Sequence, residues 1–317
     1  MRRNRRAIMV AALSGLPLAA LAAQKASSGL QKTLDAEVAR FPGRAGIWVK
    51  HLTTGEEASV RPDEAFNSAS VIKIPVLVLA FQLVDKHTLT LSERITITAA
   101  DVRGGSGIFR YHDPGLQPTL RDVLLQMIIT SDNTATDLAI AKVGGVAPVN
   151  QWLKDNGYAD ALKLNMTTGQ LFALYGGLSS ATAAERNQKT NTDHAYWLGD
   201  MTPRATGRLL ESIQRCNDGT SSGTPIASKA SCADMVRMFR AQQSGARRLP
   251  HYVDVPVGHK TGDFPPVIAN DVGIIYSRSG PIVVAFFGSA IEGSYGEAED
   301  HIGRIAQRIV DYFDGGR

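Results

Sequence analysis

Cysteine is scarce in this chain. Only Cys216 and Cys232 occur among 317 residues, and neither lies beside a motif that would make a catalytic thiol. Two readings stay open for them, a disulfide in an oxidising compartment or two buried free thiols. The seven histidines are scattered. No two have the spacing of metal ligands, so neither a metal nor another cofactor is expected. His112 and His194 each neighbour an aspartate and read as surface residues. Fixed-period repeats and low-complexity tracts are missing. So is a membrane-spanning run: the apolar stretch of residues 7–19 is short and broken by Ser14, Gly15 and Pro17. An excess of one charge is missing too. The formal +4 comes from Arg2, Arg3, Arg5 and Arg6, and the remainder is balanced. That leaves no reason to invoke nucleic acid or an anionic membrane as a partner.

What is present is an ordinary globular balance, 44% hydrophobic and 20% charged, enough for one large domain or two intimately packed lobes. The basic start, the apolar run and the small-x-small triplet Ala20-Leu21-Ala22 form the three regions of a secretory signal peptide, expected over residues 1–23. Cleavage after Ala22 or Ala23 would leave no membrane anchor and an exported protein, periplasmic or secreted. Asn4-Arg5-Arg6 also has a twin-arginine character, so the export route stays open.

Residues 46–52 alternate as a strand, with Thr53-Thr54-Gly55 as the turn and residues 57–61 as the hairpin partner. Residues 70–84 read as a helix apolar around most of its circumference, hence buried. Thr119 and Asp122 form a capping box that opens a second helix. A third is expected over residues 134–142, ended by Gly144-Gly145, and a fourth from Thr202-Pro203. Three strands follow at 255–260, 272–276 and 281–287, with a hairpin turn at 277–280. An amphipathic helix over 298–313 closes the chain. This order predicts an α/β (α+β) fold: an antiparallel sheet built from both chain ends, flanked by helices, with an inserted all-helical lobe. The expected organisation is one catalytic domain over 24–317. Its lobe covers roughly 70–250 and its sheet roughly 46–61 and 255–290.

Three short motifs stand in order: Ser70-Val71-Ile72-Lys73, Ser131-Asp132-Asn133 and Lys260-Thr261-Gly262. The first pattern alone arises about once by chance in a chain this long. The other two are each expected on the order of 0.05 times. A serine hydroxyl is a weak nucleophile and needs a base within reach. Residues three apart share a helix face, which puts Lys73 beside Ser70. A lysine acts as base when burial or a nearby cation lowers its pKa, and Lys260 can supply that cation. At a helix start, Ser70 also offers a backbone N–H to a developing oxyanion.

These motifs resemble those of class A β-lactamases among the penicillin-recognising serine enzymes. The similarity runs from about residue 46 to the C-terminus and includes the Thr202-Pro203 helix start and Asn270-Asp271. It implies Ser70 as nucleophile, Lys73 as base and Ser131 as proton relay to the leaving nitrogen. It further implies that Asn133 binds the substrate's side-chain amide and that Lys260 and Thr261 bind its carboxylate. By the same resemblance, Gly262 lets the substrate lie along the strand, and the Asp263 N–H completes an oxyanion hole. The implied partner is a small molecule, a β-lactam or an acyl peptide, acted on by a monomer. One element departs from the family. Its enzymes carry a glutamate roughly thirty-odd residues after Ser-Asp-Asn that activates the deacylating water. Residues 164–172 contain no acid, and the nearest later one is Glu185. A gap-free alignment puts Thr168 in the glutamate's place. The expectation is therefore complete acylation machinery with doubtful deacylation. The alternatives are a D-alanyl-D-alanine carboxypeptidase or esterase, and a penicillin-binding protein that stays acylated.

Overall fold

The computed structural model describes residues 18–315, with side chains from residue 29 onward. The expected signal segment therefore lies largely outside the described residues. Helix α1 (Leu18–Arg40) leads into the hairpin of β1 (Arg44–His51) and β2 (Glu57–Val60), followed by the short β3 (Phe66–Asn67). The helical middle contains α2 (Lys73–Asp85), α3 (Leu120–Ile129), α4 (Asn133–Lys142) and α5 (Val146–Asp155). After β4 (Leu162–Leu164) come α6 (Thr168–Gly176) and α7 (Ala183–Thr192), then β5 (Gly199–Met201), α8 (Pro203–Asp218) and α9 (Lys229–Arg240). The chain returns through β6 (Val257–Phe264), β7 (Ile268–Ser277) and β8 (Gly280–Ser289) to α10 (Tyr295–Asp314). No described helix is long and apolar enough to cross a membrane.

The main sheet is antiparallel in the order β2-β1-β8-β7-β6, so strands from both ends of the chain pair directly, β1 with β8. This is the architecture expected from the order of elements. Strand alternation builds its two cores. Ile47 and Val49 face α1 and α10, packing with Leu34, Phe286 and Ile305. Trp48, between them, faces the helical middle with Phe66, Phe81 and Phe287. A Cβ on Gly207 of α8 would come within 2.0 Å of the Trp48 ring, so this helix packs on the sheet only with glycine there.

The expected caps are present. Thr119 and Asp122 close a reciprocal box at α3, and Thr202 caps α8 with Pro203 in its first turn. The expected strand 255–260 is longer: β6 continues to Phe264, carrying Lys260-Thr261-Gly262 inside the ladder. Cys216 and Cys232 form a disulfide between α8 and α9, which resolves the two readings left open by the sequence.

Candidate active site

The expected single helix from Ser70 is two pieces. A 3-10 turn covers Ala69–Ile72, and α2 begins at Lys73. The chain enters this turn under constraint. Ala69 has φ +42°, a left-handed conformation uncommon for a residue with a side chain. Its N–H is held by Asn67 Oδ1 at 3.0 Å. From β7, Asn270 Nδ2 donates to the carbonyls of Asn67 and Ser68 at 2.9 and 3.1 Å. A Cβ on Gly262 would lie 2.5 Å from the Ser68 carbonyl oxygen. Glycine in this motif is thus explained by close approach of β6 to the nucleophile turn.

Ser131 is the second strained residue, at φ +54°. It lies between α3 and α4, where Asp132 caps α4 by accepting from Ala135 N at 2.8 Å. The left-handed turn presents the Ser131 hydroxyl to two lysines. Lys73 Nζ donates to it at 3.1 Å and Lys260 Nζ at 3.0 Å. Lys73 also donates to Ser131 O at 2.7 Å and Asn133 Oδ1 at 3.0 Å. Lys260 also donates to Thr261 O at 2.8 Å. Both lysines are fully buried. Burial first, and Lys260 second, hold the Lys73 amine well below the usual lysine range. Burial brings Lys260 down to about 8, with Asp263 and Asp271 opposing the shift.

Ser70, Ser131, Asn133, Thr168 and Asp263 line one cavity of about 320 Å³, walled on its apolar side by Leu171, Phe172, Tyr196 and Phe264. Of the residues singled out in the sequence, Lys73, Lys260 and Thr261 are buried around this cavity and do not line it. Thr261 Oγ1 shares a hydrogen bond of 2.9 Å with Ser244 Oγ. The amide of Asn133 is engaged at both ends, Oδ1 by Lys73 and Nδ2 by the Gly104 carbonyl at 3.0 Å.

Residues 164–172, without an acid of their own, run from β4 into α6, where Thr167 and Gln170 form a capping box. The acid of this region comes from α4. Asp137 Oδ1 accepts from Thr168 N at 2.7 Å and Thr168 Oγ1 at 2.8 Å. Its Oδ2 accepts from Gly169 N at 2.9 Å and Arg103 Nε at 2.8 Å. Asp137 was missed in the sequence; it lies four residues after Asn133 on the same face of α4, a spacing that could have pointed to it. Arg248 lay beyond sequence reasoning. It comes from an irregular segment and is held by Asp263, Glu299 and the Asn270 carbonyl. Glu185 is spent on capping α7. It accepts from Thr182 N and Oγ1 at 2.7 and 2.9 Å, away from the cavity lining.

Chemically, the arrangement sets a serine at a helix entrance in the cavity lining, three residues before a lowered-pKa lysine, and a second serine bridges two amines. Ser131 accepts from both amines, so its own proton is free for a group in the cavity. Comparison with known proteins gives the family. The model of the beta-lactamase enzyme family matches residues 29–313. The β-lactamase VEB-1 of Pseudomonas aeruginosa is 24% identical over 250 residues, 76% of this chain and 75% of that protein. A β-lactamase of Rhodobacter capsulatus is 28% identical over 237 residues, 74% of this chain and 79% of that protein. The crystal structure of a β-lactamase from Sphaerobacter thermophilus superposes with a TM-score of 0.72 at 28% identity, covering 90% of this chain and 96% of that one. The chain belongs to the beta-lactamase enzyme family and is a β-lactamase-like serine hydrolase.

Proposed function

We propose that Ser70 is acylated by β-lactams or related amides and esters, and that the acyl-enzyme is hydrolysed slowly. The Ser131 hydroxyl bridging the buried amines of Lys73 and Lys260 carries the acylation half. With Lys73 neutral, its amine has two N–H groups to share among the three acceptors around it, and its lone pair takes the Ser70 proton as Oγ attacks the carbonyl carbon. The negative charge that develops on the carbonyl oxygen is met by the N–H groups of Ser70 and Asp263. The C–N bond then breaks, and the leaving nitrogen takes the proton of Ser131, which Lys73 replenishes. Asn133, which lines the cavity, orients the substrate, and Lys260, buried behind Ser131 in the strand of Thr261 and Gly262, draws a substrate carboxylate by its charge without lining the cavity.

The second half rests on Thr168. A hydroxyl occupies the place aligned with the family's base, and it is 2% exposed and bonded to Asp137. Asp137 already accepts four hydrogen bonds, two from backbone N–H groups, one from the Thr168 hydroxyl and one from Arg103, and it does not line the cavity. A general base is worth roughly 10² to 10⁴ in rate, so deacylation is the slow step. We further propose that residues 24–317 act as a single exported, monomeric catalytic domain, with residues 1–23 as its signal.

Labelling with a fluorescent penicillin and intact-mass spectrometry tests this reading. The expected result is a stoichiometric adduct that is lost in Ser70→Ala. Undiminished labelling of that variant would overturn it. A D-alanyl-D-alanine peptidase shares the acylation step and is separated from this reading by turnover of acyl-D-alanyl peptides in place of β-lactams.

A further inference from the structure

Successive side chains of β6 point to opposite faces. Lys260 points to the helical side and meets Ser131, while Asp263, three residues on, meets Arg248 and Tyr295. A substrate carboxylate at this end of the cavity is attracted by positive charge. Lys260 supplies one charge from behind Ser131. The guanidinium of Arg248 does not supply another, because its side chain is 2% exposed and its nitrogens are all occupied. Nη1 donates to Asn270 O at 2.8 Å, and Nε and Nη2 donate to Glu299 at 3.1 and 2.9 Å. Nη2 also meets Asp263. Around Arg248, two carboxylates against one guanidinium leave one negative charge, which opposes the positive charge of Lys260. Of the two, Asp263 is the one that lines the cavity, with its side chain 35% exposed against 20% for Glu299.

We infer that Asp263 is a specificity-determining residue. Its carboxylate penalises substrates with a carboxylate at the β6 end of the cavity and favours esters and amides that are uncharged or cationic there. The inference rests on the reading of Ser70 as the acylated serine and narrows its substrate class. Like charges a few ångströms apart at a protein surface repel strongly enough to set such a preference. Asp263 is partly exposed and is screened by salt, whereas the buried Lys260 is screened much less.

The test compares acylation of a β-lactam that carries a free carboxylate with acylation of its methyl ester. Wild type, Asp263→Asn and Asp263→Ser are measured, with melting curves as folding controls. The ratio of kcat/KM for the acid over that for the ester is expected to rise about tenfold in both variants, an order-of-magnitude figure for a partly screened charge pair. In the wild type alone the same ratio is expected to rise with ionic strength, a readout that needs no variant to fold. A ratio unchanged by either variant, or falling with salt in the wild type, would overturn the role of Asp263 while leaving Ser70 in place. Acylation by neither compound would overturn the reading of Ser70 itself.

Discussion

The hydroxyl of Thr168 donates to the carboxylate of Asp137 at 2.8 Å, so the place aligned with the family's deacylating base lies directly against an acid from α4. A glutamate introduced at 168 would set one carboxylate against another, and like charges that close repel. Thr168→Glu alone is therefore expected to gain little in deacylation. Thr168→Glu combined with Asp137→Asn keeps a hydrogen-bonding partner and removes the repulsion. The double variant is expected to shorten the acyl-enzyme lifetime by at least about tenfold, within the roughly 10² to 10⁴ that a general base supplies. Time-resolved intact mass checks this. Equal lifetimes in the single and double variants would count against the repulsion.

The base assignment is tested by Lys73→Ala. Acylation is expected to slow by roughly 10² to 10⁴, while Lys260→Ala mainly raises KM for carboxylate-bearing substrates. Single-turnover kinetics separate the two effects. An unchanged acylation rate constant in Lys73→Ala would require another base.

Lys73 and Lys260 also predict the shape of a pH profile. Lys73 must be neutral to accept a proton, and its amine is held well below the ordinary range. Lys260 must be charged to hold a carboxylate, and it loses its proton near 8. For an anionic substrate, kcat/KM should therefore fall as pH rises through about 8. The check is a kcat/KM profile for wild type and for Lys260→Arg, whose guanidinium stays charged. The alkaline limb should move up in the variant, and an unmoved limb would assign it to another group.

The disulfide between α8 and α9 spans 16 residues of sequence. Loop closure of that length is worth about 3 kcal/mol. The Cys216→Ala, Cys232→Ala double variant should lose about that much by urea unfolding. The bridge lies outside the cavity lining, so labelling at Ser70 should persist. A stability loss well under 1 kcal/mol would contradict the chain-entropy account.

Local patterns carried much of this molecule into view. Period-2 alternation marked β1, capping residues marked α3 and α8, and three motifs marked residues that the fold brings together around Ser131. The illegible parts are those where distant segments decide. Ala69 and Ser131 take left-handed backbone because Asn270, from another strand, and a lysine on each side hold them there. The helix α6 was missed because residues 164–172 were read against the family's loop, although Thr167 and Gln170 spell a cap. Arg248 became visible only once the fold placed an irregular segment against β6 and α10. Gly262 was assigned to substrate access, and the structure gives it a nearer reason, the Ser68 carbonyl.

The most direct test of the account is stopped-flow hydrolysis of a chromogenic cephalosporin at several enzyme concentrations, with Ser70→Ala as control. Fast acylation and slow hydrolysis predict a burst whose amplitude equals the enzyme concentration, then a slow linear phase, with an adduct seen by intact mass and neither phase in the control. Rapid linear turnover with no burst and no adduct would show that a deacylating base operates beside Ser70, contrary to the environment found for Thr168 and Asp137.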